Sequence, residues 1–85
     1  MSKIIIDVRE PEEFQSGHVE GAINIPPTSL MNGAPELNGV PKDSEIILYC
    51  RTGSRSNTAI QFLEQLGYTN LTNGINKDQV VARFL

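Results

Sequence analysis

The stretch IILYCRTGSRSNTAIQFLEQLG, residues 46–67, decides the fold, because in it a strand, a polar loop and a helix follow one another. The apolar run Ile46–Tyr49 predicts a strand buried on both faces, as in a parallel sheet. Over residues 54–66, apolar side chains recur at helical spacing, and Gly67 suits a left-handed cap at the helix end. The connecting residues 50–53 therefore lie at the carboxyl end of a strand, where parallel sheets place their ligands.

Three further segments predict strands of the same sheet, and the last of them includes a turn. They cover residues 3–8, 22–26 and 68–74, and the first is rich in β-branched residues. Strands and helices alternate along the whole chain. This alternation predicts an α/β fold in which a central, mostly parallel sheet of four to five strands is flanked by helices. We expect residues 1–85 to form one domain.

The helices between and after these strands are shorter or less regular. Pro11 suits the first turn of one helix, and Thr28 is placed to cap the amino end of a second. The apolar stripe of the long helix is predicted to lie in the core, and a terminal helix is predicted to have apolar side chains on one face. The stripe contains Ala59, Ile60, Phe62, Leu63 and Leu66, and the terminal face contains Val80, Val81 and Phe84.

Composition excludes several classes of protein. The net charge is −3 over 85 residues, which gives no reason to expect nucleic acid or an anionic membrane as a partner. One cysteine forms no internal disulfide, and one cysteine with one histidine cannot hold a zinc ion outside a subunit interface. No apolar run reaches the ~20 residues of a membrane span. We expect a monomer, in the cytoplasm by default or in the periplasm if a leader has been removed.

Cys50 begins the most unusual segment of the chain. A lone cysteine after an apolar strand is usually a small buried hydrophobe. Here, however, no aliphatic side chain follows for six residues, and the start of a helix supplies backbone N–H groups and partial positive charge. Such a corner lowers the pKa of a thiol and stabilises the nucleophilic thiolate. The six residues that complete this candidate anion-binding loop are Arg51, Thr52, Gly53, Ser54, Arg55 and Ser56.

Two cysteine chemistries suit a loop of this kind: cleavage of phosphate esters, and transfer of a sulfane sulfur held as a persulfide. The phosphatase signature requires an arginine at the sixth position after the cysteine. In this chain Arg55 is at the fifth position and Ser56 at the sixth. The ring of donors is thus one residue short for a phosphate, and it suits a single sulfur atom better. A cysteine phosphatase or arsenate reductase remains the alternative enzyme.

Two motifs together resemble the rhodanese family of sulfurtransferases, most of all its short members of the phage-shock type. The first is IIDVREPEEFQSGHVEGAINIP, residues 5–26, and the second is YCRTGSRS, residues 49–56. The family often carries paired glycines and an aromatic residue near its last strand. This chain has Asn73-Gly74 there, and it contains no tryptophan.

The resemblance implies a rhodanese-like fold and a thiosulfate sulfurtransferase that needs no cofactor and no metal. Cys50 would take sulfur from a small anionic donor such as thiosulfate and pass it to cyanide or a thiol. The loop N–H groups would hold the persulfide, Arg51 and Arg55 would attract the donor, and the hydroxyls of Thr52, Ser54 and Ser56 would brace the loop or cap the helix. The alternative of another class is a non-catalytic binding or regulatory module, which typically lacks the cysteine.

Three residues of the first motif are expected to support the loop rather than to react. Asp7 and Arg9 lie at a strand end, where an ion pair or a loop brace explains them better than catalysis does. His18 is a conceivable general base, but a hydrogen bond that fixes the turn at residues 17–22 is the preferred interpretation.

Overall fold

The computed structural model describes residues 3–85, and its centre is a four-stranded sheet. The strands are β1 (Ile4–Asp7), β2 (Ile23–Asn24), β3 (Ile46–Tyr49) and β4 (Leu71–Ile75). They lie in the order β2-β1-β3-β4, and every neighbouring pair is parallel. The predicted α/β fold with a parallel sheet is therefore confirmed, with four strands.

Four helices connect or follow the strands. They are α1 (Pro11–Gln15), α2 (Pro27–Met31), α3 (Ser54–Gln65) and α4 (Lys77–Phe84), with a 3₁₀ turn at Pro35–Leu37 before β3. The long helix begins where the sequence predicts, and Pro11 is in the first turn of α1. Among the helices described in residues 3–85, none has the length and the hydrophobicity that crossing a membrane requires.

The start of α2 corrects one prediction. Thr28 does not cap this helix: α2 begins at Pro27, and Pro26 is the extended residue before it. Proline is favoured at the first helical position because the backbone N–H that it lacks would have no partner inside the helix. The two prolines thus end the preceding strand and begin the helix at once.

The core has one layer on each face of the sheet. On one face, Ile6, Ile46 and Leu48 pack with Leu30 of α2 and Leu63 of α3. On the other face, a smaller cluster includes side chains of β1, β3 and α4, namely Ile5, Ile47, Tyr49 and Val80. The central strands are buried on both sides, as their apolar sequences predict.

Leu66, which the sequence assigns to the core, and Val81, on the predicted apolar face of the terminal helix, lie at the surface. Leu66, just after α3, is 38% exposed, and Val81 in α4 is 51% exposed. Neighbouring residues on a helix point about 100° apart, so α4 turns Val80 inward and Val81 outward. The buried face of α4 is therefore narrower than its apolar face.

Candidate active site

The ends of β1 and β3 form one edge of the sheet, because these strands are parallel neighbours in register. Asp7 pairs with Tyr49, so the residues after them leave the sheet side by side. The backbone N–H of Val8 donates to the carbonyl of Tyr49 at 3.0 Å, and that of Cys50 donates to Ile75 of β4 at 3.1 Å. The sheet thus fixes the backbone of Cys50 between two partner strands.

Cys50 is both a core residue and the acceptor of a loop hydrogen bond. Its residue surface is only 2% exposed, and it packs in the cluster on the α2 and α3 face. The N–H of Gly53 nevertheless donates to its Sγ at 3.1 Å. Gly53 has φ of 92°, in the left-handed region that glycine adopts without strain, and it directly precedes α3. The loop therefore bends back so that a helix start faces the sulfur.

The surroundings of Cys50 favour the thiolate. Burial alone raises the pKa of the thiol, but hydrogen bonds from the Ser56 hydroxyl and from the N–H groups of Ser56, Thr52 and Gly53 outweigh it. Together they lower the pKa of Cys50 to about 7. The Ser56 hydroxyl is the largest contribution that lowers the pKa, and the loop N–H groups that the sequence predicts come next.

Asn73 of β4 forms hydrogen bonds with the loop that follows Cys50, although the sequence analysis does not place it at the site. Its Nδ2 donates to the carbonyl of Gly53 at 3.0 Å, and its Oδ1 accepts from the hydroxyl of Ser56 at 2.6 Å. Oδ1 also accepts the N–H of Ile75 at 3.0 Å, beside an irregularity in the β3–β4 pairing. The only sequence signal was that an asparagine stands next to Gly74, where the family often carries paired glycines.

A polar cleft of about 390 Å³ opens beside Cys50. Cationic side chains and residues at the start of α4 contribute to its walls. The lining consists of Arg9, Ser16, Cys50, Arg51, Asn76, Lys77 and Asp78. This cleft gives a small anion a route to a sulfur that is otherwise buried.

The two loop arginines have different environments. The Arg55 guanidinium forms two hydrogen bonds with the Glu13 carboxylate, at 2.7 and 3.1 Å, and so ties α3 to α1. Hydrogen bonding to Arg55 lowers the pKa of Glu13 to about 2. Arg51 is exposed at the cleft, and within residues 3–85 its side chain makes no ion pair or hydrogen bond.

Asp7 and Arg9 form a buried ion pair at the end of β1. The closest contact, Nη2 to Oδ2, is 2.6 Å, and the two side chains are only 0% and 8% exposed. The Tyr49 hydroxyl donates to the same carboxylate at 2.8 Å, and Arg9 Nη2 also donates to the carbonyl of Gly17 at 2.7 Å. Burial is the main reason that the pKa of Tyr49 rises to about 12. The arrangement links β1, β3 and the turn after α1.

His18 and the smaller hydroxyls make local contacts. His18 Nδ1 is 2.9 Å from the carbonyl of Phe14, and the two rings stack with centroids 3.7 Å apart. Thr52 and Ser54 contact each other at 3.3 Å through their hydroxyls, whereas α3 has no side-chain cap. In the described part of the chain, none of these three side chains forms a hydrogen bond with Cys50. Residues 3–85 also contain no cluster of three or more His, Cys, Asp or Glu side chains that could hold a metal ion.

The chain belongs to the family of rhodanese-like domains, whose sequence pattern matches residues 1–79. It is 41% identical to the thiosulfate sulfurtransferase PspE of Escherichia coli, over 80% of this chain and 64% of that protein. It is 37% identical to a putative mitochondrial thiosulfate sulfurtransferase of Schizosaccharomyces pombe, over 85% of this chain and 58% of that protein. The chain therefore spans less than two thirds of either relative.

Solved structures show the same fold. A structure described as a rhodanese with anions from E. coli superposes with a TM-score of 0.79 at 34% identity, covering 92% of this chain and 91% of the other. A human single-domain sulfurtransferase gives a TM-score of 0.78 at 25% identity, covering 98% and 84%. The resemblance seen in the two sequence motifs is thus confirmed.

Proposed function

We propose that this chain is a sulfurtransferase that takes a sulfane sulfur from a small anionic donor, such as thiosulfate, and carries it as a persulfide on Cys50. One observation carries the proposal: the sulfur accepts the Gly53 N–H at 3.1 Å in a ring of donors that lowers its pKa to about 7. Near neutral pH a large fraction of the thiol is then thiolate, the form that attacks sulfur. The names of two relatives support thiosulfate as the donor.

Loading is a displacement at sulfur. The Cys50 thiolate attacks the outer sulfur of thiosulfate, a new S–S bond forms on Cys50, and the S–S bond of the donor breaks. The electron pair of that bond leaves with sulfite, so the total charge is unchanged and no proton is needed. The N–H groups of Thr52, Gly53 and Ser56 would hold the anionic sulfur, and Arg51 would attract the donor into the cleft.

In the transfer step the acceptor is the nucleophile, and the Cys50 thiolate is the leaving group. An acceptor, cyanide or a thiolate, attacks the outer sulfur of the persulfide, and the bond to Cys50 breaks. Its electron pair stays on Cys50, which regenerates the thiolate. Arg55 would act through Glu13 by fixing the start of α3, while Asp7, Arg9 and His18 would hold the adjoining turn. The chain supplies the nucleophile itself, so the scheme uses no cofactor.

The phosphatase alternative finds less support at this site. Ser56 occupies the position that the phosphatase signature gives to arginine, and its hydroxyl lies within hydrogen-bond distance of the Gly53 carbonyl and of Oδ1 of Asn73. The nearest arginine, Arg55, is held by Glu13. A non-catalytic module would have no use for a thiol with a lowered pKa.

The test is the intact mass of the protein after incubation with thiosulfate in mild, metal-free buffer. We expect a gain of one sulfur atom, and we expect cyanide to remove it and yield thiocyanate. The mass of Cys50→Ser should not change. Wild-type protein whose Cys50 has been alkylated beforehand serves as the matched control. An unmodified mass after incubation of the wild type with thiosulfate and other sulfane donors would overturn the proposal. Turnover of an aryl phosphate that requires Cys50 would favour the phosphatase.

A further inference from the structure

The orientation of the Asn73 amide is fixed by two backbone groups whose roles cannot be exchanged. The N–H of Ile75, 3.0 Å from Oδ1, can only donate, and the carbonyl of Gly53, 3.0 Å from Nδ2, can only accept. The amide oxygen must therefore point to Ile75. That same oxygen lies 2.6 Å from the hydroxyl of Ser56.

This orientation decides where the single hydrogen of the Ser56 hydroxyl goes. An amide oxygen does not donate, so the short contact with Asn73 exists only if Ser56 gives its hydrogen to it. The carbonyl of Gly53, at 3.1 Å, is a poorer acceptor because it already receives the N–H of Asn57 at 2.9 Å and Nδ2 of Asn73. The third candidate is Sγ of Cys50, at 3.6 Å.

The two protonation states of Cys50 place opposite demands on Ser56. A neutral thiol donates its S–H to the Ser56 oxygen while Ser56 donates to Asn73, so every hydrogen has an acceptor. A thiolate has no hydrogen to donate, and Ser56 stabilises it only by turning its own hydrogen to the sulfur. That turn costs the short bond to Asn73, whose Oδ1 then keeps only the N–H of Ile75 as a partner in the described chain.

We propose that Asn73 is a positioning residue that acts on Cys50 through Ser56, by competing with the sulfur for the one Ser56 hydrogen. The consequence for turnover rests on the proposed function. In the persulfide the negative charge moves to the outer sulfur, and the Ser56 hydrogen returns to Asn73. Asn73 thus raises the free energy of the unloaded thiolate relative to that of the persulfide. The equilibrium between the two shifts toward the persulfide.

The test is the pH profile of Cys50 alkylation, which needs no sulfur donor. The wild type should have its midpoint near pH 7. Asn73→Ala removes the competing acceptor, so we expect the midpoint to fall by roughly 0.5–1 pH unit, which raises the thiolate fraction at about pH 5 some three- to tenfold. Asn73→Gly, which restores the paired glycine common in the family, is the second variant if alanine disturbs folding, and the same fall is expected.

A double-mutant cycle separates action through Ser56 from a general effect on the loop. Ser56→Ala should raise the midpoint, because it removes a donor to the thiolate. In that background Asn73→Ala should change nothing. An unchanged or raised midpoint in Asn73→Ala and Asn73→Gly, or an equal fall with and without Ser56, would overturn the proposal.

A second measurement addresses the loaded state. At a fixed ratio of thiosulfate to sulfite, Asn73→Ala should carry less persulfide than the wild type by mass. If no variant, including the wild type, takes up sulfur, then the proposed function fails, while the alkylation profile still judges the role of Asn73.

Discussion

The neighbouring strands β1 and β3 are each followed, two residues after the strand ends, by an arginine, but the two arginines have different environments. β1 ends at Asp7 and continues into Val8-Arg9, and β3 ends at Tyr49 and continues into Cys50-Arg51. At the first end the arginine folds back onto a buried carboxylate and both charges are satisfied. At the second end the arginine lies exposed at a cleft, and the sulfur is held by a backbone N–H. The first end is closed by a buried ion pair, whereas the second borders a cleft.

This difference indicates how one edge of a parallel sheet supports chemistry. The sulfur transfer proposed for Cys50 needs a fixed backbone and, nearby, a charge that no other side chain neutralises. These demands conflict if one segment must meet both. Here the contacts of the Asp7 carboxylate with Arg9 and with the Tyr49 hydroxyl hold the ends of β1 and β3 together. In the loop after β3, the charge of Arg51 is not neutralised by an ion pair in the described residues. The ion pair of Arg55 with Glu13 is intermediate between the two strand ends, because the pair forms but both of its side chains are partly exposed.

The largest effect is expected at the closed end. Asp7→Ala leaves the Arg9 guanidinium buried without its carboxylate and the Tyr49 hydroxyl without an acceptor. Breaking a buried ion pair in this way costs about 3–5 kcal/mol of unfolding free energy. Denaturant unfolding at neutral pH measures this loss. Asp43→Ala, at an exposed acid, is the matched control, and a loss below about 1 kcal/mol for Asp7→Ala would show that the end is not closed.

A smaller, pH-dependent effect is expected at the intermediate pair. The pKa of Glu13 is lowered to about 2 by Arg55, so the pair stabilises the fold fully above the ordinary carboxylate range and less as pH falls toward 2. Both side chains are partly exposed, which limits the contribution to less than about 1 kcal/mol. The thermal midpoint of Glu13→Gln should lie below that of the wild type at neutral pH and approach it under acidic conditions.

Glu12→Gln, the neighbouring exposed residue of α1, is the control for a general loss of negative charge. If its destabilisation matches that of Glu13→Gln at every pH, then the contact with Arg55 contributes nothing specific.

The smallest effect on stability is expected at the end of β3. Arg51→Ala removes a side chain for which residues 3–85 provide no ion pair, so unfolding free energy should stay within about 0.5 kcal/mol. The rate of sulfur loading from thiosulfate should fall a few-fold at low ionic strength, and the difference should shrink at high salt because screening weakens the attraction.

Arg83→Ala, on the last turn of α4, makes the same change in net charge away from the cleft and is the control. Loading rates that respond equally to both variants would mean that Arg51 acts only through the overall charge.

Much of the fold follows from local pattern. The buried strand Ile46–Tyr49, the amphipathic helix after it and the alternation of elements required a parallel sheet, and the carboxyl end of β3 had to carry the polar loop. Local pattern does not predict burial where tertiary packing determines it. Val81 and Leu66 are apolar yet exposed, because the way α4 and the end of α3 pack determines which of their sides is covered.

The sequence by itself determined the family, the fold and the identity of Cys50 as the one candidate nucleophile, because motif spacing and residue type are local properties. Only the tertiary structure decided the partners of the side chains. It assigned Arg55 to Glu13, left Arg51 at the cleft and brought Asn73, 23 positions after Cys50, behind the same loop. Hydrogen-bond partners depend on which strands become neighbours, and strand order is a property of the whole sheet.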